Sequence, residues 1–231
     1  MDFHDLIPGT FLQRDNRFRA TVLVKGQETW AFVPNTGRMQ AILTKGAPAW
    51  LQPAGSAERK TAYDLKLIAS GGVLVSVYAR LPNLLFEEYL ARHDVDFLPE
   101  GGNFQVRREV TFGESRLDLQ IQWGSGVCWV ETKSVTLVED RTARFPDAPT
   151  RRGRRHIQTL IKAAGQGMDA AVIFVVQRPD AESFSPHHQV DPQFAELLKE
   201  AAGAGVAVRS YTCQVTRAEM NITREIPCIL R

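Results

Sequence analysis

Cysteine is scarce. Cys128, Cys213 and Cys228 lie far apart and form no C-x-x-C pair. That count excludes a disulfide framework and a zinc site of paired cysteines, and it fits a reducing cytoplasm. Long hydrophobic runs are also missing. The longest, Ala170 to Val176, falls far short of the ~20 residues that a membrane-spanning helix needs. The opening residues, Met1-Asp2-Phe3-His4-Asp5, are acidic and lead into no apolar segment, so no signal peptide is read there. There is no excess of one charge: 28 Lys and Arg stand against 26 Asp and Glu, a net +2. Internal repeats and low-complexity stretches are absent. What remains, at 231 residues with 44% hydrophobic and 23% charged, is a globular chain of one large or two small domains.

The distribution of charge says more than its sum. Residues 1–80 carry ten Lys and Arg against six Asp and Glu, net +4, leaving 18 against 20, net −2, for residues 81–231. Inside that acidic part lies a basic island of Arg141, Arg144, Arg151, Arg152, Arg154, Arg155 and Lys162, opposed only by Asp147. It reads either as a local phosphate contact or as a solvated helix face.

Residues 1–80 read as short strands punctuated by turns. Phe18 to Val24, Glu28 to Val33, Met39 to Leu43, Ala47 to Leu51, Tyr63 to Ile68 and Val73 to Tyr78 are the candidates. Short strands separated by Gly and Pro, with no convincing helix, predict a small OB-like barrel. From Leu81-Pro82-Asn83 the pattern changes. Asn83 is a plausible N-cap for a helix over Leu84 to Arg92, followed by strands at Phe104 to Phe112, Arg116 to Trp123 and Val127 to Val135. Thr150 caps a helix ending near Gly165. Ala170 to Val176 is a buried strand. Asp191 caps a helix with Pro192 in its first turn that runs to Gly203. Val206 to Tyr211 and the segment from Gln214 close the sheet. The expected architecture is therefore a barrel over 1–80 and a mixed α/β domain over 81–231.

The chemistry sits on one ribbon. Gly124-Ser125-Gly126 predicts a hairpin joining Ser115-Arg116-Leu117-Asp118-Leu119 to Val130-Glu131-Thr132-Lys133. The register is chosen by the apolar pattern. Pairing Leu119 with Val130 and Ile121 with Cys128 makes one dry face, sets Asp118 opposite Glu131 and places Arg116 beside Lys133. The same register implies a four-residue loop from Trp123 to Gly126, or a bulge. Opposed residues have Cβ atoms ~5 Å apart, so two buried carboxylates there would repel. A hard divalent cation such as Mg²⁺ or Mn²⁺ resolves that conflict. Lys133 would then orient water or stabilise charge on a phosphate. The same residues also fit a surface hairpin with solvated Glu131 and Lys133.

Other candidates surround this ribbon. Glu88 shares a helix face with Leu84 and could point at the sheet, though exposure of both Glu87 and Glu88 fits as well. Arg152, Arg155 and His156 sit at the start of the later helix, where backbone N–H groups and the dipole favour phosphate. In the barrel, Asn35-Thr36-Gly37 is a turn that aims Arg38 at phosphate or at the other domain. Arg59 and Lys60 add charge. Trp30, Phe32 and Tyr63 either stack on bases or fill the barrel, and the core reading is preferred for Trp30 and Phe32.

Taken in order, Asn35-Thr36-Gly37-Arg38-Met39, Arg59-Lys60-Thr61, Leu81-Pro82-Asn83, Ser115 to Asp118, Val130 to Leu137, Phe145-Pro146-Asp147-Ala148, Arg152-Gly153 and Phe184-Ser185-Pro186 resemble the sugar fermentation stimulation protein A family. The resemblance spans nearly the whole chain. It implies an OB-like domain followed by a domain of the PD-(D/E)xK nuclease type, DNA as partner, and a link to regulating maltose and other sugar-utilisation genes. Carried over by position, Asp118, Glu131 and Lys133 match the nuclease core and Glu88 the acid of the preceding helix. Thr132 and Pro149 stand where the family usually has Val, and neither change removes a metal ligand. Two functions follow as expectations: a Mg²⁺-dependent deoxyribonuclease, or a DNA-binding regulator that keeps the scaffold without cutting. A pairing of two copies stays open.

Overall fold

The computed structural model describes residues 1–55 and 59–230. The first domain is built from strands β1 (Ile7–Asn16), β2 (Arg19–Val24), β3 (Gln27–Phe32), β4 (Pro48–Pro53), β5 (Tyr63–Ser70) and β6 (Val73–Ser76). The order β3-β2-β1-β4-β5 closes through β3 pairing with β5, and β6 extends the sheet beside β5. This is the five-stranded OB barrel. Ala20, Val22 and Val24 alternate inward from β2 and meet Leu51, Leu65 and Ile68 in a core of their own.

Two expectations fail here. The strand expected at Met39 to Leu43 is a turn that plugs the barrel with the buried side chains of Met39 and Ile42. Its apolar residues serve a lid rather than a ladder. Conversely, β1 carries no strand signal in the sequence, because Pro8, Gly9 and the polar run from Gln13 to Asn16 mimic a loop. It pairs with both β2 and β4, and register shifts at Phe11/Gln13 and Arg14/Asn16 bend it around the barrel.

The second domain runs α1 (Leu81–Leu90), β7 (Gln105–Phe112), β8 (Ser115–Trp123), β9 (Gly126–Val135), β10 (Leu137–Glu139), β11 (Thr142–Phe145), α2 (Arg151–Gly165), β12 (Asp169–Val176), β13 (Ser183–Pro186), α3 (Pro192–Gly203), β14 (Ala207–Val215) and β15 (Met220–Ile226). The main sheet has the order β15-β14-β12-β9-β8-β7, and β10, β11 and β13 form a small sheet beside it. Strands β9, β12 and β14 are parallel, and β12 is buried along almost its whole length, as a strand covered on both faces must be. One face packs on α2 and α3 through Val172, Phe174, Leu160 and Leu198. The other packs on α1 and the barrel through Ile173, Val175, Phe86 and Leu67.

The later helices begin as expected. The Thr150 hydroxyl accepts from the Gly153 N–H at 3.0 Å and the Asp191 carboxylate from the Phe194 N–H at 3.0 Å. Helix α1 differs. Pro82 sits in its first turn, so it begins at Leu81 with Arg80 before it, and Asn83 is an interior residue rather than the cap. The two closing strands are β14 and β15, but β14 runs on through Gln214 to Val215, so the break between them falls after residue 215 rather than near residue 213. Cys128 and Cys213 are buried free thiols and Cys228 is half-buried; burial pushes all three upward, Cys228 to about 12. Among the described residues no helix is long and apolar enough to cross a membrane.

Candidate functional site: an arginine-lined cleft at the end of the β8–β9 ladder

The β8–β9 register is the predicted one. Leu119 pairs with Val130, Gln120 with Trp129 and Ile121 with Cys128. The turn is tighter than expected: Trp123 still pairs with Gly126, leaving two residues, with Gly124 at φ 48°. The ladder stops at Leu119–Val130, and there the chain turns over. Leu119 and Ile121 pack on the α1 side, whereas Leu117 packs on the α2 side although it is two residues from Leu119. The neighbouring Glu109 adopts φ 57° at the same level. Asp118 is the pivot, and its carboxylate fills the gap between the parting strands.

Each Asp118 oxygen is held. Oδ2 accepts from the Thr132 backbone N–H at 2.8 Å and lies 3.0 Å from the Thr132 hydroxyl, while Oδ1 accepts from Asn83 Nδ2 at 3.0 Å. The Thr132 hydroxyl also contacts Asn83 Oδ1. Glu131 turns toward the α2 layer. Its Oε1 accepts from Lys133 Nζ and from His156 Nδ1, and its buried Oε2 has no partner among the described residues. His156 is buried, and its Nε2 accepts from Arg152 Nε at 3.3 Å. Arginine can only donate, so Nε2 is the acceptor in this contact and Nδ1 is the nitrogen that donates to Glu131. Burial pushes the Glu131 carboxyl up, but Lys133 and His156 outweigh it and hold it below the ordinary carboxylate range. Burial and then the Glu131 charge push the Asp118 carboxyl up, against weaker opposition from Lys133 and its hydrogen bonds. One acid is thus compensated while the other is left strained by its neighbour's charge.

Asp118, Glu131 and Lys133 line a cleft of about 1100 Å³ between the barrel and the main sheet. Six arginines line it too: Arg17 from the barrel, and Arg80, Arg108, Arg116, Arg144 and Arg152 from beyond it. With Lys133 they outnumber the acids Glu109, Asp118, Glu131 and Asp147. Among the described residues the buried Nε of Arg144 has no hydrogen-bond partner, although Glu139 lies 3.8 Å away as an ion-pair partner. An excess of positive charge in low-dielectric walls focuses the field on an anion.

The remaining candidates divide. Arg116 reaches the cleft, pairing with Glu109 at 2.8 Å, and so do Arg152 and, through Glu131, His156. Glu88 does not. It pairs with the Met1 amino group at 3.0 Å and is 42% exposed; the helix presents Asn83 to Asp118 instead. Starting α1 at Leu81 does not alter the 100° step between neighbours, and Glu87, one turn on from Asn83, pairs with Arg108 at 2.6 Å. Arg155 is exposed on a different groove shared with α3. Arg59 is committed to Asp64 at 2.6 Å, and Lys60 and Arg38 are exposed outside the cleft lining.

The Asn35-Thr36-Gly37 turn joins the domains. Asn35 Oδ1 accepts from the Gly37 N–H at 2.8 Å, and Asp147 Oδ2 accepts from the Met39 N–H at 2.8 Å. Arg14, which no sequence signal singles out, ties this loop together through the carbonyls of Asn35, Gly37 and Arg38. Asn83 reads from the sequence only as a cap. Nothing in its local sequence marks it as a partner for Asp118; how α1 docks on the sheet sets its direction.

Comparison with known proteins agrees with this architecture. Residues 12–77 match the SfsA N-terminal OB domain, and residues 80–219 match the sugar fermentation stimulation protein RE domain. The chain is 40% identical over 225 residues to a sugar fermentation stimulation protein homolog of Caldanaerobacter subterraneus subsp. tengcongensis, covering 97% of each chain. It is 44% identical over 223 residues to the homolog of Alkaliphilus metalliredigens, covering 95% of each. A solved structure of Pyrococcus furiosus SfsA in complex with Ca²⁺ superposes with a TM-score of 0.89 at 35% identity, covering 99% of this chain and 98% of that one. With an OB barrel, a mixed α/β domain and relatives matching from end to end, the chain belongs to the sugar fermentation stimulation protein family.

Proposed function

We propose that this protein binds DNA in the arginine-lined cleft and hydrolyses a phosphodiester bond there, with a divalent cation held between Asp118 and Glu131. The observation that carries the reading is the pairing of an unpartnered, buried Glu131 Oε2 with an Asp118 carboxyl that Glu131 destabilises. The donor set fits: Mg²⁺ and Mn²⁺ take oxygen ligands and commonly use one or two carboxylates plus water and substrate phosphate. The Pyrococcus furiosus relative is in complex with Ca²⁺, another hard cation.

Bound there, Mg²⁺ would neutralise the two acids, supply a nucleophile from water and clamp the phosphate charge. The chain's own residues do the rest. Thr132 and Asn83 fix Asp118, and His156 Nδ1–H fixes Glu131 Oε1, which leaves the buried Oε2 as the oxygen without a partner among the described residues. Lys133 Nζ, held on Glu131, donates toward charge that develops on the phosphate. Arg116, Arg144 and Arg152 hold flanking phosphates. The helix, antiparallel ribbon, helix and parallel strand order supports reading the second domain as a PD-(D/E)xK scaffold, a kinship of scaffold and not of activity.

A second reading is a regulator of sugar-utilisation genes that binds DNA along the same arginine-rich cleft without cutting. Incubating the protein with labelled single- and double-stranded DNA in Mg²⁺ or Mn²⁺ separates the two. Cleavage that disappears in Lys133→Ala while DNA binding persists supports hydrolysis at this site. Binding without cleavage in either ion leaves the regulator. Undiminished cleavage by Lys133→Ala removes the proposed mechanism.

A further inference from the structure

The cleft continues onto the barrel as a strip of aromatic rings. Among the described residues the large hydrophobic side chains left exposed are Phe18, Trp30 and Ile229, at 47%, 45% and 38%. The first two sit on one hairpin. Trp30 and Phe32 both point outward from β3, since Ala31 between them faces the core. The register sets Arg19 opposite Phe32 and Thr21 opposite Trp30. Phe18 stacks on Phe32 with ring centroids 6.2 Å apart and planes within 17°. Trp30 therefore lies outside the barrel core, against the expectation from sequence, and Phe32 is only half-buried.

Each ring carries an arginine. The Arg19 guanidinium lies 4.3 Å from the Trp30 ring, Arg59 lies 5.6 Å from Phe32 and Arg17 lies 5.8 Å from Phe18. Asp15 and Asp64 orient Arg19 and Arg59 through ion pairs at 3.1 and 2.6 Å. Exposed Glu28 is the other acid of the hairpin. At its near end the strip enters the cleft itself, because Arg17, Phe18 and Phe32 are part of the cleft wall that faces Arg116 and Lys133.

We infer that this strip is a base-stacking platform for a single-stranded segment of nucleic acid whose backbone runs on into the cleft. Exposed rings need flat apolar partners, and guanidinium groups lying over them offer both a stacking plane and a positive charge. A duplex hides its base faces and offers only edges and phosphates. A single strand offers both π-faces and phosphates, which is the combination displayed here. The continuity with an arginine-lined cleft favours a polyanion over an apolar protein surface.

The inference rests on the proposed DNA-binding reading, and the test separates their failures. Binding of a labelled 20-nucleotide single strand, and of its duplex, is measured by fluorescence anisotropy in EDTA with wild type, Trp30→Ala, Phe18→Ala and Trp30→Phe. Trp30→Ala and Phe18→Ala are expected to weaken single-strand binding roughly fivefold or more each, to leave duplex binding within about twofold, and Trp30→Phe to restore the single-strand binding that Trp30→Ala removes. Equal effects on both forms, or no effect on either, overturn the platform and leave the strip to a protein partner. Wild type that binds neither form overturns the DNA-binding reading and the platform with it. Both substituted side chains are about half exposed, so unchanged circular dichroism and melting temperature verify that the variants are folded.

Discussion

The Asp118 carboxylate accepts from the backbone N–H of Thr132 at 2.8 Å, at the point where β8 and β9 cease to pair. A side chain thus completes a hydrogen bond that the ladder leaves open. This seats an acid beside Glu131 at the mouth of a cleft, and the site costs stability there because burial and the Glu131 charge both oppose ionisation of Asp118.

That cost has a sign. A carboxyl whose folded pKa is raised destabilises the fold when ionised, above its ordinary titration range, and ceases to do so as pH falls and it protonates. Metal-free Asp118→Asn is therefore expected to melt no lower than wild type at pH 7. The difference should shrink in acid, where wild-type Asp118 is itself neutral. Thermal melts in EDTA at pH 7 and in acid check it, and a large loss of stability at pH 7 would count against strain at this residue.

Asp191 makes the opposite case. Burial pushes its carboxyl up, but the N–H groups of Thr150 and Phe194 and the Arg154 guanidinium outweigh it and hold it below the ordinary range. Its contribution is present above the unfolded carboxylate pKa and is lost as pH falls through the lower folded value. Asp191→Ala should cost about 2 kcal/mol at neutral pH through the lost α3 cap and the unpaired Thr150 and Arg154. Urea melts should show the gap between wild type and variant closing only in strong acid.

Arg152 lines the cleft, whereas Arg155, three residues on, does not. Removing one side chain that neutralises a phosphate flattens the slope of log binding constant against log salt by about 1. Arg152→Ala should show that reduction and Arg155→Ala should keep the wild-type slope, both read from DNA titrations across a salt series.

Gly37 sits against the second domain. A Cβ placed there would lie 2.9 Å from Asp147 Oδ2 and 3.1 Å from Asn35 Oδ1. Gly37→Ala would push the loop off Asp147, the acceptor for the Met39 N–H. The expected loss is roughly 1–3 kcal/mol, measured by denaturant unfolding.

Much of the site is legible in the sequence because one face of the β8–β9 ribbon is dry. Leu119, Ile121, Cys128 and Val130 fix the register, and a slip by one residue would expose all four. The Thr150 and Asp191 caps are legible because their hydrogen bonds are local. What fails is non-local. Glu88 and Asn83 differ in which one meets the sheet, and that depends on how α1 docks. The plug formed by Met39 and Ile42 has the apolar composition of a strand and none of its pairing. Strand β1 looks polar because its bends expose alternate residues. Hydrophobicity alone assigns Trp30 to the core, although the residue next to it, Ala31, holds the inward position.

The proposed chemistry depends on a divalent cation held by Asp118 and Glu131. Calorimetric titration of Mn²⁺ into metal-free wild type, Asp118→Asn and Glu131→Gln tests it without requiring turnover. Saturable binding to wild type that is lost in both variants is the expected result. Mn²⁺ binding of unchanged stoichiometry and affinity in Asp118→Asn and Glu131→Gln would contradict it.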